Sequence, residues 1–280
     1  SLPSRGLGDV YKRQLMTKTP QSLWWVVTDL DGTLMDHHYD WSPAKAAIQR
    51  LQRCGVPVIP CTSKTAEEVS RFREQIGLHD PFIVENGGAI HGESSDGKPW
   101  HLALGPSWQE LRPQLDQLAQ DLGQPLQALD DLNADDAHRL LGLQGDALRQ
   151  AQRRQCSVPF VSPTDPASRD KLLSLAAQRR LSVVQGNRLG HLLGLDVSKG
   201  KALQRLKQHL GCPDVKVLGL GDSPNDLPLL DASDCAVVVP GANGPHPALK
   251  PGLDAGLYQL APAPHGVGWS AAVLRLIPGL

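Results

Sequence analysis

The sequence predicts an α/β protein: a doubly wound, mainly parallel sheet with helices on both faces, interrupted by an inserted α+β domain. Three observations carry this. Short apolar runs at Leu23–Val27, Val56–Pro60, Phe82–Val84, Val215–Leu220 and Cys235–Val239 alternate with helical stretches, the rhythm of βα repeats. Four of those runs stop abruptly in carboxylates, hydroxyls or amides, and open α/β sheets place their ligands at the carboxyl ends of strands. Between residues 88 and 190 the rhythm breaks into a hairpin, several helices and short strands, so the expected division is a core of 16–87 and 191–280 around an insert of 88–190.

The chain is organised around Val26-Val27-Thr28-Asp29-Leu30-Asp31-Gly32-Thr33. A run this short and β-branched reads as a buried parallel strand. Alternate residues of an extended segment point the same way, so Asp29 and Asp31 share a side. Two carboxylates that close repel unless a cation or a proton intervenes, and a hard divalent ion such as Mg2+ suits them. The first can attack phosphorus while the second moves a proton. Taken alone, the motif is equally well an Asp-Gly turn at a strand end. Further polar strand ends downstream weigh against that plain turn.

Ser42-Pro43 opens a helix that runs to about Arg53 and stops at Gly55. The second strand ends in Cys61-Thr62-Ser63-Lys64-Thr65, and a helix covers about 66–76. Hydroxyls and amides at a strand-to-helix junction suit an anion, although an ordinary cap uses the same residues. The third strand ends in Glu85-Asn86-Gly87-Gly88. A hairpin is expected over 89–104, helices near 107–122, 135–141, 146–154 and 170–180, and strands near 158–161 and 181–185. Arg188 to Leu193 reads as a further strand, with Arg188 able to hold a carboxylate or phosphate and His191 beside it. Val197-Ser198-Lys199-Gly200-Lys201 opens the next helix, and a lysine there opposes the helix dipole unless an anion is nearby. Gly221-Asp222-Ser223-Pro224-Asn225-Asp226 comes after the fourth core strand, again placing acids at a carboxyl end. The fifth strand, a Gly/Pro-rich loop, an edge strand at 258–260 and a helix over 267–276 complete the chain.

The charge balance, 28 basic against 29 acidic residues, gives no support for nucleic acid or an anionic membrane as partner. No apolar stretch is long enough to span a bilayer. The five cysteines, Cys54, Cys61, Cys156, Cys212 and Cys235, are scattered without metal-ligand spacing, which fits a reducing cytoplasm. Residues 1–15 lack periodicity and precede Met16; they read as a sequence-assembly scar or a disordered tail.

The ordered set Asp29-Leu30-Asp31-Gly32-Thr33, Thr62, Lys199 and Gly221 to Asp226 resembles the four motifs of the haloacid dehalogenase superfamily of phosphatases, over about 23–280, and the insert resembles its larger cap class. Thr62-Ser63-Lys64-Thr65 with Glu68, Pro81 to Gly88, Arg188 to Gly194 and Gly219 to Ser223 resemble the mannosyl-3-phosphoglycerate phosphatases, which also handle the glucosyl analogue. One departure lies in Arg154 to Phe160, where that family often carries Glu and this chain has Val158; the cap selects the substrate in the superfamily, so the departure bears on the sugar and less on the glycerate half.

The resemblance implies an Mg2+-dependent phosphoric monoester hydrolase acting on a small sugar phosphate. Asp29 would be the nucleophile, Asp31 the acid and base, Thr62 a hydrogen-bond donor to a phosphoryl oxygen and Lys199 the neutralising cation. Asp29, the Asp31 carbonyl and Asp222 would hold the metal, with Asn225 and Asp226 just behind. Ser63, Lys64, Glu85, Asn86, Arg188 and His191 are the expected substrate contacts. A monomer or small homo-oligomer is expected. The competing readings are a phosphatase of sucrose phosphate or a hexose phosphate, a phosphomutase, and a non-catalytic sugar-phosphate-binding protein.

Overall fold

The computed structural model describes residues 23–280 apart from 95 and 187; the expectation for 1–15 lies outside the described residues. β1 (Trp24–Thr28), β2 (Val58–Pro60), β9 (Lys216–Gly221), β10 (Cys235–Val238) and β11 (Gln259–Leu260) form one parallel sheet in the order β11-β10-β9-β1-β2. Strand β1 shows why its run is continuously apolar. Trp25 and Val27 face Ala202, Leu203 and Leu206 of α7 (Lys199–His209), while Val26 faces the cluster holding Ile48 and Leu51 of α1 (Lys45–Cys54) and Trp269 and Val273 of α10 (His265–Leu276). Both faces are covered, and each fully buried aliphatic side chain is worth roughly 1.5–3 kcal/mol.

The helix ends obey the sequence signals. Gly55 closes α1 in the left-handed region (φ 68°), where glycine carries no Cβ penalty. Thr65 and Glu68 form a reciprocal capping box at the start of α2 (Ala66–Ile76).

The third strand, β3 (Phe82–Val84), meets the parallel sheet through a single parallel bridge, Cys61 to Ile83, and then pairs antiparallel with β4 (Ala89–Glu93), which pairs with β5 (Pro99–Ala103). The β4–β5 hairpin, expected to open the inserted domain, thus continues the core sheet. Its Ile90 is buried with Trp25, Ile59 and Ile83, and Trp100 and Leu102 pack on that cluster.

The insert beyond β5 contains α3 (Trp108–Leu122), α4 (Ala134–Leu141), α5 (Gly145–Gln152), β6 (Val158–Phe160), α6 (Pro166–Gln178), β7 (Leu181–Gln185) and β8 (Gly190–Gly194). Its antiparallel sheet runs β6-β8-β7, so the expected boundary at 190/191 falls inside the central strand β8. Val158 pairs with Leu192, and both are buried in the apolar cluster under α3 and α6. Adjacent residues of a strand face opposite ways, so Val158 faces away from the side that His191 occupies. The side chain expected to tune substrate choice therefore belongs to the interior of the insert, where a carboxylate would be buried without a cation.

Short helices α8 (Leu227–Asp231) and α9 (Lys250–Asp254) complete the core. No helix among the described residues is long and apolar enough to cross a membrane.

Candidate active site

From β1 the chain winds outward through β2 to β3; β9, laid down after the insert, occupies β1's other side. The crevice between the carboxyl ends of β1 and β9 is therefore the topological switch point, where such sheets bind ligands. The backbone ties these ends together: Asp29 N–H donates to Leu220 O at 2.9 Å, and Cys61 N–H donates to Thr28 O at 2.7 Å.

Lys199, at the first turn of α7, is fully buried. Its Nζ lies 2.6 Å from Asp29 Oδ1 and 2.5 Å from Asp226 Oδ1. Burial opposes its charge, but Asp226 and then Asp29 outweigh that and raise its pKa above the ordinary lysine range. Burial raises the pKa of Asp29 well above the carboxylate range; Lys199 opposes the shift, while Asp226 and Asp222 add to it. Gly200 is required beside Lys199, because a Cβ there would stand 2.0 Å from Pro228 O.

One oxygen each of Asp29, Asp222 and Asp226 lie within 4.8 Å of one another. This all-oxygen set fits a hard divalent cation such as Mg2+. The approach is shaped by Gly32, whose φ of +86° and missing Cβ leave room for Asp222: a Cβ would stand 2.5 Å from Asp222 Oδ2. Thr33 Oγ1 donates to Asp222 Oδ1 at 2.7 Å and fixes that carboxylate. The Asp226 oxygens are already engaged, Oδ1 by Lys199 and Oδ2 by the N–H groups of Asp222 (2.9 Å) and Ser223 (3.0 Å). Asn225 donates through Nδ2 to Asn86 Oδ1 at 2.9 Å. The geometry thus offers Asp29 and Asp222 as side-chain ligands, with Asp226 and Asn225 shaping the loop behind them.

Thr62 is fully buried, its N–H donating to Ile83 O at 3.0 Å and its Oγ1 accepting from Lys64 N–H at 3.3 Å. Lys64 Nζ pairs with Asp31 Oδ2 at 3.0 Å and Glu68 Oε1 at 3.5 Å, and sits 4.7 Å from the ring centre of Tyr39. Burial works against its charge, but Asp31 and then Glu68 prevail and lift its pKa. The other oxygen of Asp31, Oδ1, is buried without a hydrogen-bond partner.

A cavity of about 430 Å³ opens between core and insert. Asp31, Lys64, Arg154, Arg188 and His191 line it, against an apolar wall that includes Leu141 and Leu189. Burial, with Arg154 and Lys199 nearby, pushes the pKa of His191 down to about 3, so its ring is neutral. Arg188 donates through Nη1 to Leu141 O, which aims the guanidinium along the cavity wall.

Two of the expected substrate contacts also take part in ties between core and insert. Glu85 is buried and spends its carboxylate on Gln155 N–H (2.8 Å), Cys156 N–H (3.0 Å) and Ser157 Oγ (2.7 Å); we assign it to holding the start of β6 against the core. The carbonyl of Ser63 accepts from Arg154 Nη1 at 2.6 Å, a tie between insert and core. Asn86, at φ 57°, directs a buried, unpaired Nδ2 from beside the Asn225 loop. Sequence reasoning assigns no role to Arg154 and Tyr39 in the cavity region, or to Trp269 behind β1. Arg154 opens the stretch that departs from the family pattern at Val158, a signal that could have found it. Nothing in the local sequence marks Trp269, whose Nε1 donates to Thr28 Oγ1 at 2.9 Å.

Comparisons with known proteins agree with this geometry. The model of the haloacid dehalogenase-like hydrolases matches residues 26–101 and 170–248, more than half of the chain. A Methanococcoides burtonii protein named glucosyl-3-phosphoglycerate/mannosyl-3-phosphoglycerate phosphatase is 31% identical, the alignment covering 90% of this chain and 96% of that one. A Persephonella marina protein of the same name is 28% identical with the same coverage. A solved structure from Thermoplasma acidophilum superposes with a TM-score of 0.66 at 18% identity, covering 90% of this chain and 97% of that one, which speaks for the fold. The chain is a phosphoric monoester hydrolase of the haloacid dehalogenase-like family and belongs with the glucosyl-3-phosphoglycerate/mannosyl-3-phosphoglycerate phosphatases.

Proposed function

We propose that the protein hydrolyses a glucosyl- or mannosyl-3-phosphoglycerate to glycosylglycerate and phosphate through an aspartyl-phosphate on Asp29. The observation that carries this reading is the buried Asp29–Lys199–Asp226 array two residues along the chain from Asp31, whose pair with Lys64 lines a cavity that also holds Arg154 and Arg188 among the acids Asp36 and Glu68. Asp29 Oδ attacks phosphorus as the ester oxygen departs, and Asp31 gives that oxygen its proton. Asp31 then takes a proton from the water that attacks the aspartyl-phosphate, releasing phosphate and restoring Asp29. Thr62 and Lys199 meet the charge spread over the transferring phosphoryl oxygens. Asp29, the Asp31 carbonyl and Asp222 would hold Mg2+, which would supply further positive charge there. Arg154, Arg188 and Lys64 suit a leaving group that carries a carboxylate.

The test is phosphate release, with and without Mg2+, from glucosyl- and mannosyl-3-phosphoglycerate beside sucrose phosphate and simple hexose phosphates. Selectivity for a glycosyl-3-phosphoglycerate that vanishes without Mg2+ and in Asp29→Asn is the expected result. Even activity across the panel would leave a general sugar-phosphate phosphatase instead.

A further inference from the structure

A smaller cavity of about 180 Å³ lies beside the main one, and the two share Tyr39, Lys64, Glu68 and Leu143 in their walls. Its remaining lining holds two aromatic rings and two amides beside Met35, Arg71 and Ala147. Trp41 and Phe72 give it an aromatic floor, packed edge to face at 6.5 Å and 89°, and Gln75 and Gln150 stand at its walls. Aromatic rings take the apolar C–H face of a pyranose, while planar amides and carboxylates suit its ring of hydroxyls.

Its position relative to the chemistry is informative. Lys64 pairs with Asp31, so the wall common to both cavities begins at the group that would protonate the departing oxygen. Gln150, Ala147 and Leu143 belong to the insert and the other named residues to the core, so the cavity exists only with the insert seated. Tyr39 stands between the two cavities in the left-handed region at φ 62°, a conformation that costs energy for a bulky residue and is found where surrounding structure demands it.

We propose that this side cavity is the subsite for the glycosyl ring of the leaving group, with Trp41 as its platform and Gln75 and Gln150 as its hydroxyl partners. The inference rests on the glycosyl-3-phosphoglycerate reading above. It divides the substrate in three: phosphate at Asp29, carboxylate toward Arg154 and Arg188, sugar toward Trp41.

The experiment compares kcat/KM on a glycosyl-3-phosphoglycerate with kcat/KM on 3-phosphoglycerate, which lacks the sugar, in the wild type, Trp41→Leu and Gln75→Ala. Gln75 is exposed, so its variant keeps the test open if loss of Trp41 unsettles the fold. The ratio of the two values should fall about tenfold in each variant, mainly through KM for the glycosylated ester. A ratio equal to that of the wild type in both variants would overturn the subsite while leaving the substrate reading intact. A wild type that shows no preference for the glycosylated ester would overturn the substrate reading and the subsite with it.

Discussion

The ammonium of Lys199 stands 2.6 Å from Oδ1 of Asp29, with no solvent exposure of the lysine side chain and Asp226 at 2.5 Å beside it. Two carboxylates share one cation in a buried site, an arrangement whose cost is offset only while the cation is present. Lys199→Met should therefore destabilise the fold by about 3–5 kcal/mol, read as a lower urea midpoint. It should also cut kcat by at least about 100-fold, because a preorganised charge is lost from the transferring phosphoryl group. A variant with wild-type stability and turnover would remove Lys199 from the site.

Gly32 controls how closely the β1 loop meets Asp222. Gly32→Ala introduces a Cβ at 2.5 Å from Asp222 Oδ2 on a backbone at φ +86°, which no L side chain adopts cheaply. The expected result is a shift of about 10–100-fold in the Mg2+ concentration needed for half-maximal activity, since a displaced ligand carboxylate weakens the site. Titrating activity with Mg2+ measures it, and the thermal shift on adding Mg2+ provides a second readout. An unchanged Mg2+ dependence would place the metal away from Asp222.

The legible part of this fold was the part with local chemistry. Strand β1 and the ends of β1, β2 and β9 could be read because an apolar run meeting Asp29, Thr62 or Asp222 is a pattern within a few residues. Helix α2 was readable to the residue, since its capping box and closing Gly77 are local signals. The role of the β4–β5 hairpin was not: whether a hairpin extends one sheet or founds another depends on Ile90 meeting Trp25 and Ile59, contacts far apart in sequence. The burial of Val158 was hidden for the same reason, because the face it presents is set by its pairing with Leu192. The partners of Glu85, expected among the substrate contacts, were also out of local reach: they are the three residues that lead into β6, about 70 positions on.

Trp269 reaches the nucleophile from behind the sheet. Its Nε1 donates to Thr28 Oγ1 at 2.9 Å, and that hydroxyl donates to Asp29 O at 2.7 Å, so α10 holds the peptide that carries the nucleophile. Nearby, His265 Nδ1 bonds Gly32 O at 2.8 Å. Trp269→Phe keeps most of the ring in the core and deletes the donor. Kinetics should show a drop in kcat of about threefold to tenfold with KM held, and a stability loss of about 0.5–1.5 kcal/mol, the scale of one neutral hydrogen bond. If kcat is untouched while stability falls, Trp269 serves packing alone.

Acid should weaken the fold through its buried histidines. His91 on β4 is stacked between Phe82 at 5.2 Å and His101 at 5.9 Å, and its Nε2 is buried without a partner. Burial, with His101 and Arg73 adding repulsion, pushes its pKa down to about 4. In the unfolded chain the same ring titrates near about 6.5. Between those values the unfolded state binds a proton that the folded state refuses, so stability is full above pH of about 6.5 and declines as pH falls toward 4. His191 acts in the same direction over a wider range, with its pKa at about 3. His91→Phe preserves an aromatic ring in the stack and removes the proton-binding group. Thermal unfolding measured from pH 7.5 to pH 4.5 should therefore show a shallower decline for the variant than for the wild type. Parallel curves would mean that His91 takes up its proton in the folded state, and the acid sensitivity would then belong to His191.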